Sequence, residues 1–99
     1  MTNEKYTIQV LAEGLDVFFS LCVPKFEPKT VREIDEELHL GSNKIYRILA
    51  TLEQKEMVKK DDSGRWVIAP EIVRISDGFT RYVAKKRAEL EQLVQEYKG

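Results

Sequence analysis

Apolar residues recur near the start of the chain at Ile8, Leu11, Ala12, Leu15, Phe18, Phe19 and Cys22, in steps of three and four. That spacing predicts one broad apolar face on a helix over about residues 6–21. Gly14 lies inside it and costs roughly 1 kcal/mol relative to alanine, a cost that close packing against a neighbour would offset. Pro24 and Pro28 close this helix and hold the following segment extended. Thr30-Val31-Arg32-Glu33 then fits a capping box, with the threonine hydroxyl and the glutamate each bonding the other's backbone N–H. Val31, Ile34 and Leu38 give the second helix an apolar stripe barely two turns long, held by packing alone. Asp35, Glu36 and Glu37 fall on its outer side.

Leu40-Gly41-Ser42 makes a short turn into a third helix. Its inward positions are Ile45, Ile48, Leu49 and Leu52, and its outward ones Asn43, Lys44, Tyr46, Arg47 and Thr51. Two helices joined by a tight glycine-containing turn form a helix-turn-helix. After Glu56 the period becomes extended. Met57-Val58-Lys59-Lys60 and Arg65-Trp66-Val67-Ile68 read as strands, and Asp61-Asp62-Ser63-Gly64 between them carries the residues of a hairpin loop. Trp66 is expected in a core or interface. Pro70 ends the hairpin, a short turn follows at residues 71–73, and a last helix is predicted from about Asp77. Phe79, Val83, Leu90, Leu93 and Tyr97 fall on one seam of that helix, interrupted by Lys86, in a short heptad pattern. The expected fold class is α+β, mainly α. It is a winged helix-turn-helix of three helices and a hairpin wing over residues 1–76, with an added C-terminal helix over residues 77–99.

With 99 residues, 42% hydrophobic and 33% charged, the chain has room for one core and is too apolar for a disordered polymer. No stretch approaches a membrane span, no secretory leader is recognisable at the start, and the single Cys22 can form no internal disulfide. An intracellular, cytoplasmic protein is expected. The net charge of −1 changes the picture only through its distribution. Residues 1–40 carry four basic and eight acidic side chains, and residues 41–99 carry twelve and nine. The net charge by itself argues against a nucleic-acid binder, but the positive side lies in the second half, a distribution that permits DNA binding without establishing it.

Catalytic patterns are missing from the sequence: no phosphate-cradling glycine loop, no nucleophile elbow, and only His39 to pair with a nucleophile. His39 and Cys22 have no partners at ligand spacing, so neither metal nor cofactor is expected. The chemistry that remains is on the third helix. Arg47 and Lys44 can donate to guanine O6 and N7, and Asn43 can pair with adenine. The alternative for each is a polar residue on the solvent side of an amphipathic helix. Lys59, Lys60 and Arg65 flank the wing, where Asp61 and Asp62 oppose them. Arg74, Arg81, Lys85, Lys86 and Arg87 form a basic stretch that could lie along DNA or form the solvated face of a dimer helix.

The run from Leu40 to Glu53 with Met57-Val58, the segment from Asp61 to Pro70, and the run from Thr30 to Leu38 resemble the DNA-binding domain of IclR-type regulators. The resemblance covers roughly residues 8–76. It implies a winged helix whose recognition helix, beginning near Ser42, enters the major groove of duplex DNA. Ser42, Asn43, Lys44, Tyr46 and Arg47 match positions expected to face DNA, and Arg65 matches a basic wing position. With Thr51 and Lys60, these are the candidate contacts. Glu56 stands where the family commonly has glycine, as does Ala69. Members usually continue into a larger ligand-binding domain that this sequence does not include, so no effector sensing is expected of it. The expected function is sequence-specific duplex binding by a transcription regulator, dimeric through Phe79, Val83, Leu90, Leu93 and Tyr97. The alternative for that seam is packing on its own domain. The alternative function is a winged-helix protein-interaction module without DNA contact.

Overall fold

The computed structural model describes residues 4–98. A 3-10 turn at Glu4–Tyr6 leads into α1 (Gln9–Ser20), α2 (Val31–Leu38) and α3 (Ser42–Gln54). The strands β1 (Val58–Lys60) and β2 (Trp66–Ile68) follow, and then α4 (Glu71–Lys98). The chain forms two compact units, residues 1–69 and residues 70–99. No helix among the described residues is long and apolar enough to cross a membrane.

In the first unit α1 and α2 both pack on α3, and β1 packs on α3 as well. Val17, Leu21, Ile34, Ile45, Leu49 and Val58 are fully buried and form the centre of the core. The capping box at the start of α2 is made as expected. Glu33 N donates to Thr30 Oγ1 at 3.1 Å, and Thr30 N donates to Glu33 Oε1 at 2.8 Å. On α3 the inward set is also as expected, with Leu52 half-buried beside Ile45, Ile48 and Leu49.

Helix α1 departs from its periodicity. Its buried residues are Glu13, Val17 and Ser20, followed by Leu21 just past its end. The stripe of Ile8, Leu11, Leu15 and Phe19 is exposed, and Phe18 and Cys22 are half-buried. Residues 13, 17 and 20 or 21 also recur at helical steps, so α1 carries two stripes on opposite sides. The core takes the less apolar one because both polar residues on it are satisfied. Ser20 Oγ donates to Val17 O at 2.7 Å, and Glu13 is paired with Lys44. Gly14 is not needed for close packing inside the chain, since a Cβ there would meet only Ile48 Cγ2, at an ordinary 3.9 Å.

The end of α3 explains the Glu56 departure. Glu56 N donates to Glu53 O and Met57 N to Leu52 O, each at 2.9 Å, and Glu56 adopts a φ of 60°. This is a Schellman cap whose left-handed position favours glycine. Glu56→Gly is expected to raise stability by about 0.5–1 kcal/mol, the relief of αL strain outweighing the added entropy of the unfolded chain. A urea midpoint unchanged or lowered by the substitution would contradict it.

The hairpin pairs antiparallel in the register Val58↔Ile68, Lys59↔Val67 and Lys60↔Trp66. Its far edge is not free. Lys29 bridges Trp66, with Lys29 N donating to Trp66 O at 2.9 Å and Trp66 N to Lys29 O at 2.8 Å. The extended segment after α1 thus ties β2 to the helices.

In the second unit, α4 begins at Glu71, earlier than the expected start at Asp77. Proline is tolerated at a helix start, and Glu71 in the first turn suits the positive end of the dipole. Asp77, expected at the helix start, lies within the helix, and the turn expected at residues 71–73 is its first turn.

Candidate nucleic-acid interface

The position of α3 is set by the turn before it. His39 N donates to Asp35 O, and His39 closes α2 in the left-handed region at φ 56°. Gly41 then adopts φ 92°, open to glycine but strained for side chains, and its N–H donates to Asp35 Oδ1 at 2.8 Å. Asp35, expected only to face outward, therefore fastens the turn between the two helices. The first turn of α3 holds no acidic residue, so nothing there repels an anion at its positive end.

All six candidates on α3, Ser42, Asn43, Lys44, Tyr46, Arg47 and Thr51, are exposed. They are not equivalent. Lys44 Nζ lies 3.0 Å from Glu13 Oε1, across from α1. Glu13 is only 9% exposed and also accepts from Gln9 Nε2 at 3.2 Å. Thr51 Oγ1 donates to Arg47 O at 2.8 Å, which leaves the hydroxyl turned onto its own helix. Tyr46 meets Trp66 edge-on, with ring centroids 6.4 Å apart, and Lys60 Nζ lies 5.2 Å from the Trp66 ring and 5.9 Å from that of Tyr46. Arg47 and Asn43 make no side-chain hydrogen bond or ion pair among the described residues. Their spacing of four, continued by Ala50 and Gln54, forms the outermost stripe of α3. Ala50 and Gln54 were not among the expected contacts, although steps of three and four from Arg47 reach both.

The wing carries its own charge pattern. Asp61 is turned inward on its loop: Oδ1 accepts from Ser63 N at 2.9 Å, Ser63 Oγ at 2.7 Å and Arg65 N at 3.0 Å. Gly64 supplies the positive φ of 84°. Half of the acidic wing tip is thus consumed in building the turn. Arg65 Nη1 lies 3.0 Å from Glu33 Oε1, so this cation joins the wing to the capping box of α2. Lys59 is exposed and Trp66 is core, only 3% exposed.

The hydrogen bond from Ser63 holds the Asp61 carboxyl below its ordinary range. The backbone of Thr30 does the same for Glu33, and the Gln9 amide, then Lys44, for Glu13. A carboxylate depressed in the folded state stabilises above its unfolded pKa, and the contribution is lost as pH falls through the folded one. Urea midpoints are expected to be flat from about pH 7 to 5 and to fall below about pH 4. Asp61→Asn should reduce the acid-limb slope, and an unchanged slope would remove Asp61 from the account.

On α4, Phe79, Leu90, Leu93 and Tyr97 are exposed and Val83 is half-buried. Arg74 pairs with Glu71 at 2.8 Å and Lys86 with Glu89 at 3.3 Å, while Lys86 also lies 5.7 Å from the Tyr82 ring.

The family described as "Sugar-specific transcriptional regulator TrmB" matches residues 14–86. Among solved structures, the chain is similar to an IclR transcriptional regulator from Alicyclobacillus acidocaldarius, at 28% identity and a TM-score of 0.65 over 71% of this chain. An IclR-family regulator from Brucella abortus (21% identity, TM-score 0.65, 76% of this chain) and HmgR from Pseudomonas aeruginosa (15%, 0.64, 72%) share its fold. The chain spans 28–29% of the length of these proteins. No curated protein matches it. The resemblance to IclR-type winged helices therefore holds in three dimensions.

Proposed function

The chain belongs to the TrmB family of transcriptional regulators, and from that premise we propose that it binds duplex DNA sequence-specifically with α3 in the major groove. The observation that carries this reading is the stripe of Asn43 and Arg47, without side-chain partners among the described residues and continued by Ala50 and Gln54, on the outermost line of α3. Arg47 presents the fork that matches guanine O6 and N7, Asn43 the amide that matches adenine, and Ala50 a methyl suited to thymine. Ser42 N–H, at the helix start, is placed to meet a phosphate. Lys60, beside Tyr46 of α3, and Arg65 on the wing, where Glu33 offsets its charge, are the cations offered to phosphate, and such contacts supply affinity without sequence information. Lys44 and Thr51 flank the stripe, and Tyr46 holds the wing against α3.

The exposed seam of α4 supports a homodimer, with Phe79, Leu90, Leu93 and Tyr97 facing their counterparts. Two copies of α3 would then address half-sites about one helical turn, roughly 34 Å, apart. The setting is cytoplasmic and the activity non-enzymatic. A second reading, docking on another protein without DNA, is favoured by the engagement of Lys44 and Arg65 with acidic partners and by the net charge of −1.

Fluorescence anisotropy separates the two. Duplex DNA is expected to bind the chain with an affinity that falls linearly on a log scale with salt, at a slope of about −0.9 per phosphate neutralised. Selection from random duplexes should return a defined site. No duplex binding at low salt, or equal binding of every duplex, would sink sequence-specific recognition.

A further inference from the structure

The cations offered to DNA are not equally free. Arg47 makes no side-chain hydrogen bond or ion pair among the described residues, and Lys60 lies over two rings. Lys44 and Arg65 each stand 3.0 Å from a carboxylate, Glu13 of α1 and Glu33 of α2. The arginine on the outer stripe of α3 is thus open, while a second cation of the helix and one of the wing are neutralised. The wing pair is built with more than its own two side chains. Glu33 Oε1 accepts from Thr30 N at 2.8 Å as well as from Arg65 Nη1. Its carboxylate is already fixed by the capping box, so the pair has only the arginine left to order. At the backbone end of the same residue, Asp61 Oδ1 accepts from Arg65 N at 3.0 Å, and a second carboxylate faces this cation. The Arg65 side chain is 46% exposed, open to solvent and to a phosphate.

We propose that Glu33 is a specificity-determining residue, which holds Arg65 against the capping box and so limits attachment of the wing to phosphate at sites of any sequence. The proposal rests on the duplex-binding reading and adds to it a residue that works against binding. Phosphate contacts supply affinity to every duplex alike, whereas a regulator depends on the ratio between its own site and all others. A wing arginine free of carboxylates would raise binding everywhere. One that must leave Glu33 first gives up a hydrogen-bonded ion pair. The carboxylate left behind then lies within a Debye length of the phosphate and repels it. A complex seated by base contacts holds the wing in one register. A complex without them settles wherever cations find phosphates, so the restraint on Arg65 weakens it most.

The test is fluorescence anisotropy of the full chain over a range of salt, with the selected duplex and a scrambled one. The proteins are the wild type, Glu33→Gln, Arg65→Gln and the double variant. Glutamine at this position keeps the capping box, so the urea midpoint of Glu33→Gln should stay near that of the wild type. Glu33→Gln is expected to bind the scrambled duplex about three- to tenfold more tightly, with a salt slope steeper by about 0.9. Its gain on the selected duplex should be smaller. In the Arg65→Gln background the gain should shrink to less than about twofold, because the residue through which Glu33 acts is gone. A scrambled-duplex affinity that is unchanged or lowered by Glu33→Gln overturns the proposal. So does an equal gain on both duplexes, or a gain that persists in full without Arg65. Each of these results comes with a wild type that binds, and leaves the duplex reading standing. Failure of all four proteins to bind either duplex at low salt overturns both.

Discussion

Replacing Trp66 by alanine is expected to cost about 3–5 kcal/mol of stability, the range for truncating a buried aromatic. Trp66 is the residue at which the wing, α3 and the segment after α1 meet. Its backbone exchanges two hydrogen bonds with Lys29, its ring takes the edge of Tyr46, and Lys60 lies over it. At 3% exposure its removal leaves a cavity that a two-stranded hairpin cannot close by itself. Small domains are stable by about 5–15 kcal/mol, so a substantial share of that margin would be lost. Trp66→Phe should retain the larger part, because a phenyl ring still fills the site and meets Tyr46. Urea unfolding followed by far-ultraviolet circular dichroism reads both. A loss below about 1 kcal/mol for alanine would mean that the hairpin is not held through this side chain.

Replacing Arg47 by alanine should weaken duplex binding by about 1–3 kcal/mol, or roughly 5–150-fold, with no change in the urea midpoint. The separation of the two effects follows from the surroundings. Arg47 has no side-chain partner to lose among the described residues, so the protein without DNA is indifferent to it. Lys44→Ala makes the contrast. It removes the partner of a nearly buried carboxylate, at Glu13, and is expected to lower stability as well as affinity. Binding to the selected site and to a scrambled duplex should both be measured. If Arg47 reads a base, its loss narrows the ratio between the two. Equal weakening of both would reassign Arg47 to phosphate, and no weakening of either would remove α3 from the interface.

Much of this architecture is legible in the sequence. The capping box at Thr30 and Glu33, the inward and outward sides of α3 and the hairpin over residues 58–68 all depend on interactions within a few residues of one another. Gly41 and Gly64 announced the two turns because each requires a conformation that side chains oppose. The outward polar set of α3 followed from the same periodicity. What periodicity left open was its ranking, since Arg47 and Lys44 are equivalent as letters and differ only in that Glu13 stands opposite one of them.

Helix α1 shows where local reasoning ends. Hydrophobic spacing determined that it is a helix and that a strong apolar stripe runs along it. It did not determine which side faces the core, because a weaker line through Val17 and Leu21 was also present and Glu13 could join it only by meeting Lys44, a residue 31 positions away. The same holds for the Lys29–Trp66 bridge, which joins a proline-bounded segment to a strand distant in sequence, and for Arg65, whose charge is taken up by Glu33. Element type and helix caps were set by short-range sterics and hydrogen bonds, and so were written in the sequence. The choice of face and the pairing of charges were decided by which distant groups could satisfy one another once packed, and that is settled only by the tertiary structure.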